Sequence, residues 1–217
     1  MTERLLSPTF LFRFAAPCRY RKEIWTKDGV ELPETHRLPH FAQLDGAPTL
    51  ADVRMAWNEH GLAFCVEVQG KRHSPWCRES HLDESDGLHV WIDTRDTHNI
   101  HRASRFCHAF AFLPAGGGAR RDRAAAGQMI INRAREHAQP ARAACLKVRS
   151  EKRVDGYLLQ AAIAAEGLTG FDPAEHPRLG FTYAIVDRER GDQTFTVSNE
   201  VPYQEDPSLW ATLELTK

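Results

Sequence analysis

The sequence predicts an all-β fold, an antiparallel β-sandwich or jelly roll of about eight to ten strands joined by long loops. Two observations support this prediction. Apolar and polar residues alternate with a period of two in many short segments, which is typical of half-buried strands. Turn residues separate these segments, and no regular succession of strands and helices indicates a parallel sheet. The 217 residues fit one domain spanning residues 1–217.

The N-terminal half contains a predicted meander. In DVRMAW, Val53, Met55 and Trp57 share one face, and LAFCVEV follows after a turn over 58–61. Asn and Gly tolerate left-handed backbone conformations, so the turn predicts a hairpin. The segment TFLFRF before them is a further predicted strand, because its phenylalanines alternate.

The segment DGLHVWIDTRDTHNIHRASRFCH, residues 86–108, predicts two strands with a polar crossover between them. The first strand has two bulky faces, one formed by Leu88, Val90 and Ile92 and the other by His89, Trp91 and Asp93. RFCHAFAFL is the second strand. The face that carries His89 is therefore a candidate ligand surface.

The C-terminal half repeats the pattern. AACLKVRS and VDGYLLQAAIAA predict a hairpin that turns near Asp155 and Gly156, and LGFTYAIVDRE, QTFTVS and WATLEL supply three more strands. The alternation lapses only over 115–142, where a Gly run and many arginines predict a mobile loop.

Charge and composition exclude several classes of function. With 28 basic and 29 acidic residues the net charge is −1, which gives no reason to expect nucleic acid or membrane as a partner. No apolar run is long enough to span a bilayer, and arginines interrupt the N-terminus where a signal peptide needs an apolar core. The five cysteines form no CxxC motif. We therefore expect a cytoplasmic chain with reduced thiols.

Acidic residues flank the strand that begins near Gly87. Carboxylate oxygens on loops suit Ca²⁺, which accepts irregular coordination, so calcium is the candidate cofactor, and ordinary solvated loop charge is the alternative. The candidate ligands are Asp83, Asp86, Asp93 and Asp96.

A transition metal is disfavoured. His98 and His101 lie three residues apart, and imidazole and thiolate groups suit zinc or copper. Cys107 and His108 point to opposite faces of one strand, however, so at most one of them can join the two histidines.

Catalytic motifs are also missing. The chain has no GxSxG, P-loop, GxGxxG or HExxH sequence, and no spacing fixes a pair of catalytic carboxylates. The sequence therefore favours a non-catalytic protein over an enzyme.

The order of three segments resembles the family 9 carbohydrate-binding modules and their DOMON-like relatives. These segments are ADVRMAWNEHGLAFCVEVQ, then SPW leading to SDGLHVWIDTR, and finally GFTYAIVDRERGD with EDPSLWATLEL. The resemblance covers about residues 20–217. It implies an antiparallel β-sandwich, often with calcium, that grips the end of a polysaccharide chain between two tryptophans.

Carried over by position, the resemblance implies an altered ligand site. The first clamp tryptophan matches Trp76, and the second falls where this chain has Tyr203 and Gln204. The family's acidic contact becomes His89, and its basic contact becomes Cys107. Trp91 completes the ligand-binding set, on the face that carries His89.

The resemblance implies a non-catalytic module that recognises a sugar or glycoconjugate on an aromatic-lined sheet face. Such a module has an accessory role when it works beside a glycoside hydrolase. Two alternatives stay open. One is a structural or protein-interaction sandwich that has lost the sugar site, and the other is a DOMON-like metal- or haem-binding domain, although haem is disfavoured because no axial ligand can be assigned.

Overall fold

A computed structural model describes residues 8–47, 49–197 and 200–217. The described residues form eleven strands in one sheet that folds over on itself into a β-sandwich. The strands are β1 (Ala15–Tyr20), β2 (Ala51–Asn58), β3 (Gly61–Val68), β4 (Gly87–Asp93), β5 (Cys107–Gly117), β6 (Arg123–Met129), β7 (Leu146–Arg153), β8 (Gly156–Ala164), β9 (Arg178–Val186), β10 (Gln193–Thr194) and β11 (Ala211–Thr216). The helical segments are short 3₁₀ turns at Pro8–Leu11, Glu34–His36, Phe41–Asp45, Ala143–Cys145, Ala165–Gly167 and Pro207–Leu209.

The strand order is β6-β5-β4-β9-β11-β1-β2-β3-β8-β7, with β10 paired to β9. The first half-sheet consists of β6, β5, β4, β9 and β11. The second half-sheet consists of β2, β3, β8 and β7. The core lies between them, and includes Val90 and Phe181 from the first half-sheet and Phe64 and Leu159 from the second. Because β6 also lies beside β7, the sheet is almost closed. This confirms the predicted fold class.

β1 departs from the antiparallel prediction. It pairs in parallel with β11 over five residues and in parallel with β2 at Arg19 and Tyr20. Within the described residues, it is the strand that joins the two half-sheets by hydrogen bonds.

Both predicted hairpins are confirmed. Asn58 pairs with Gly61 at the β2–β3 turn, where the Asn58 side chain accepts a hydrogen bond from the His60 amide at 2.8 Å. β7 and β8 turn between Arg153 and Gly156.

Two local predictions are wrong. The segment TFLFRF is not a strand, because residues 8–11 form a 3₁₀ turn and β1 begins at Ala15; the side chain of Phe10 lies outside the described residues. The segment 115–142 is not one loop, since the first glycines extend β5 and residues 123–129 form β6. Among the described residues, no helix has the length and hydrophobicity needed to span a bilayer.

Candidate functional site

The two faces of β4 have different environments. Leu88, Val90 and Ile92 point into the main core, as the alternation predicts. His89 and Trp91 point to the outer face of the first half-sheet, where a second, smaller apolar cluster covers the sheet. The face of β4 that was predicted to bind the ligand is therefore largely covered by this second apolar cluster.

His89 is 2 % exposed and lies at the bottom of this surface. Its Nε2 atom is 3.0 Å from the Ser85 carbonyl oxygen, and its ring centre is 6.2 Å from that of Trp91. Burial lowers the pKa of His89 to about 4, because a charged imidazolium loses its hydration there. The side chain is thus neutral at physiological pH and offers a hydrogen-bond donor to the carbonyl.

Three aromatic residues fix the centre of the outer surface. Trp91 meets Tyr203 edge to face at 5.4 Å, and the Trp210 indole N–H donates to the Tyr203 carbonyl at 2.7 Å. Only 5 % of Trp91 and 1 % of Tyr203 are exposed. Trp91, Tyr203 and Trp210 are therefore part of the buried apolar cluster that covers this face.

A polar cleft of about 430 Å³ opens above His89 and Trp91. Gln204 and Asp83, two further predicted residues, line it as well. Its remaining lining residues were not predicted, and they are Glu79, Ser80, Leu82, Met129, Ile130, Asn132 and Glu205. We call this the polar cleft. Its volume lies in the roughly 300–1,000 Å³ range of small-molecule sites.

A second cleft of about 460 Å³ lies beside the first and shares Met129 and Ile130 with it. Its lining is mainly Ala, Ile, Met and Pro side chains, and Cys107 is part of it. We call this the apolar cleft. Burial raises the pKa of the Cys107 thiol to about 12, so the thiol is neutral and the lining stays apolar.

The predicted ligand residues His89 and Cys107 lie on the same face of the first half-sheet, but they are not neighbours. His89 pairs with Ala111 and Cys107 pairs with Asp93, four residues further along β4. At about 3.3 Å per residue, this puts the two side chains roughly 13 Å apart along the sheet. The two residues therefore serve different clefts.

Trp76 lies outside both clefts. The Arg188 guanidinium stacks on its indole ring at 3.3 Å from the centroid, and that of Arg78 lies at 5.2 Å. The Trp76 amide donates to the Asp86 carboxylate at 3.0 Å. The structure therefore does not bring the predicted clamp residues Trp76 and Tyr203 together around one cleft.

The four predicted calcium ligands lie at the two ends of β4. Asp83 and Asp86 precede the strand, whereas Asp93 and Asp96 follow it, so the two pairs are roughly 20 Å apart. Asp93 accepts hydrogen bonds from the amides of Arg95 and Thr97 at 3.0 and 2.7 Å. In the described part of the chain, no three His, Cys, Asp or Glu side chains are grouped to hold a metal ion.

Asp86 belongs to a buried charged cluster around Lys71. The Lys71 ammonium contacts the Asp187 carboxylate directly and lies 3.5 Å from Asp86 and 3.9 Å from Glu189. The Lys71 side chain is 3 % exposed. The ammonium group is therefore the cation that these three carboxylates surround. No sequence motif predicted this charged cluster.

The histidines that suggested a transition metal have separate partners. The Nε2 atom of His98 is 2.9 Å from Asp96, and the Nδ1 atom of His101 is 3.1 Å from Asp206. The Ser208 hydroxyl oxygen is also 3.1 Å from the Nδ1 atom of His101, the same ring nitrogen that contacts Asp206. A catalytic triad uses opposite ring nitrogens for the serine and the acid, so this group lacks that geometry.

Comparison with known proteins supports the fold. No protein-family model matches the chain, and no curated protein matches its sequence. Two solved structures of a family 9 carbohydrate-binding module from Caldicellulosiruptor kristjanssonii are similar to it. The one in complex with cellotriose has a TM-score of 0.60 at 12 % identity, covering 94 % of this chain and 94 % of that one. The one in complex with glucose has a TM-score of 0.59 at 13 % identity, covering 93 % and 95 %. The chain therefore has the fold of the family 9 carbohydrate-binding modules.

Proposed function

We propose that this protein is a non-catalytic carbohydrate-binding module that holds a neutral or amino sugar in the polar cleft. The observation that carries the proposal is the position of the cleft. It opens over His89 and Gln204, to which the family resemblance assigns ligand contacts, and over Trp91, which lies on the same face of β4 as His89.

The polar groups of the cleft suit a sugar. Carboxylates from Glu79, Asp83 and Glu205 accept hydrogen bonds from hydroxyl groups, and the amides of Asn132 and Gln204 both donate and accept. Because the described lining contains no Lys or Arg, sugar phosphates and uronates would be repelled. A protonated amino sugar would gain from the same charges.

Trp91 and His89 form the floor of this site. Their small exposure limits ring stacking, so specificity comes mainly from the hydrogen-bonding groups at the rim. The two similar structures hold cellotriose and glucose, which makes short glucose-based sugars the first ligands to test.

A glycan array of the tagged protein, followed by calorimetry on the ligands it identifies, tests the proposal. Asn132→Ala and Gln204→Ala are each expected to weaken binding roughly three- to tenfold, because each removes a hydrogen bond to the sugar. Gln139→Ala is the matched control, since this exposed residue lies in the neighbouring loop and outside the cleft. A folded protein that binds no glycan would contradict the proposal and favour the protein-interaction alternative.

Two further arms of the experiment concern the other predicted contacts. Trp76→Ala tests the clamp position: a loss of binding with this variant alone would place the ligand at the arginine-flanked indole instead of the polar cleft. Repeating the array with calcium and then with a chelator tests calcium as the proposed cofactor. An absorbance spectrum of the purified protein tests the metal or haem alternative.

A further inference from the structure

The apolar cleft is a second preformed space beside the polar one. Its floor includes Cys107 and Ala109 of β5 and Ala103 of the loop before that strand, and its wall includes Ala134, Ala138 and Pro140. Among its described lining residues none is Lys or Arg. Glu136 also lines the cleft, so an anionic tail would be poorly neutralised there, whereas an uncharged apolar group would be buried favourably against the mainly apolar side chains.

The wall of this cleft is tied down at several points. The Gln128 amide donates to the Gln139 carbonyl at 3.3 Å and accepts from the Ala141 amide at 2.6 Å. Arg102 donates to the Arg133 carbonyl at 2.8 Å, and the Arg135 amide donates to the Ala103 carbonyl at 2.8 Å. A cleft held in this way loses little conformational entropy when a ligand enters.

Ile130 connects the two clefts. It lines both of them, yet 76 % of its surface is exposed, although burial of such a side chain is favourable. A ligand that extends from one cleft into the other would cover it.

We propose that the apolar cleft binds the aglycone of the sugar held in the polar cleft, so that the natural ligand is a neutral or amino glycoside with an uncharged alkyl or aryl aglycone. This inference rests on the proposed function, because the sugar must occupy the polar cleft first. It adds to that function a defined ligand class and a second subsite.

A homologous series of ligands tests the inference. Calorimetry would compare methyl, butyl and hexyl β-D-glucopyranosides and the matching β-D-glucosaminides, with hexanol alone as a reference. Affinity is expected to rise about three- to fourfold for each methylene group that enters the cleft, as for other buried methylenes. Amide chemical shifts of residues 134–141 should move with the hexyl ligands and stay unchanged with the methyl ones.

The blocking variant is Ala138→Phe, which fills the cleft from a half-buried loop position. It should abolish the gain from the alkyl chain and leave the affinity for methyl glycosides unchanged. Ala144→Phe, at an exposed position outside both clefts, is the matched control. Comparing the two variants separates the filling of the cleft from any general effect of an added aromatic ring on ligand affinity.

Each outcome is decisive. Equal affinity for methyl and hexyl glycosides would overturn the aglycone subsite and leave the sugar site standing. Equal affinity for hexanol and hexyl glycoside, with no binding of methyl glycosides, would overturn both proposals, because the sugar would then contribute nothing. Retention of the alkyl gain in Ala138→Phe would place the chain elsewhere and overturn the inference.

Discussion

The buried Lys71 ammonium shows how much can depend on one residue of this protein. It lies among the carboxylates of Asp86, Asp187 and Glu189, with Asp187 in direct contact. Burial raises the pKa of Asp86, since a carboxylate there has lost much of its hydration. The lysine therefore offsets part of the cost of keeping negative charge inside the sandwich.

Lys71→Met is expected to destabilise the protein by about 3–5 kcal/mol, because buried carboxylates then lose their partner. Denaturant unfolding at pH 7 measures this loss. Arg153→Met, which removes an exposed ion pair with Glu151, is the matched control and should cost at most about 1 kcal/mol. Equal effects of the two variants would contradict a special role for Lys71.

At the scale of elements, β1 connects the two half-sheets. Its backbone pairs with β11 along five residues and with β2 at two. Without it, among the described strands, β2 and β11 would both become open edges that expose unpaired backbone groups.

A chain that begins after Tyr20 is therefore expected to lose its fixed tertiary structure while retaining strands. Near-ultraviolet circular dichroism should collapse, and an added peptide of residues 12–21 should restore it. A peptide of scrambled sequence is the control. Native spectra and unchanged stability of the shortened chain would show that the half-sheets hold together through the core alone.

Most strands were predictable because successive side chains point alternately into the main core and to the outer face of the sheet. β6 was missed because Ala and Gly dominate RAAAGQM, and these residues have low intrinsic preference for strands. Antiparallel pairing with β5, the preceding strand, forms β6, and a segment so rich in Ala and Gly shows no alternation from which this pairing could be predicted. The 3₁₀ turn before β1 was missed for the opposite reason, since the phenylalanines of the segment TFLFRF alternate without forming a strand.

The candidate site was only partly predictable. The face of β4 that carries His89 and Trp91 follows from the two-residue period, and both residues line the polar cleft. The rim contributed by Glu79, Asn132 and Glu205 comes from loops, whose paths depend on tertiary packing. The separation of His89 from Cys107 depends on strand register, which a single sequence does not reveal.

For the molecule as a whole, buried histidines make stability depend on pH. His108 lies in the interior, stacked on Phe110 at 6.0 Å, and its Nδ1 atom has no hydrogen-bond partner among the described residues. Burial lowers the pKa of His108 and of His89 to about 4. In the unfolded chain both should titrate near about 6.5.

Between pH 6.5 and 4 the unfolded state binds more protons at these histidines than the native state, so the free energy of unfolding falls as the pH falls. His108→Phe should reduce this slope by up to about 1.4 kcal/mol per pH unit, the contribution of one proton. Chemical unfolding at several pH values measures it. His60→Gln, at an exposed turn, is the control for the loss of a histidine side chain.

The parallel pairing of β1 with β11 also has a consequence for synthesis. Ala15 pairs with Thr212, a separation of 212 − 15 = 197 residues in a chain of 217. Such distant contacts slow folding, because a long loop must close before the contact is made. On the ribosome, β1 emerges first and lacks this neighbour until β11 has left the exit tunnel, so the sandwich completes its sheet only after translation has passed its final strand.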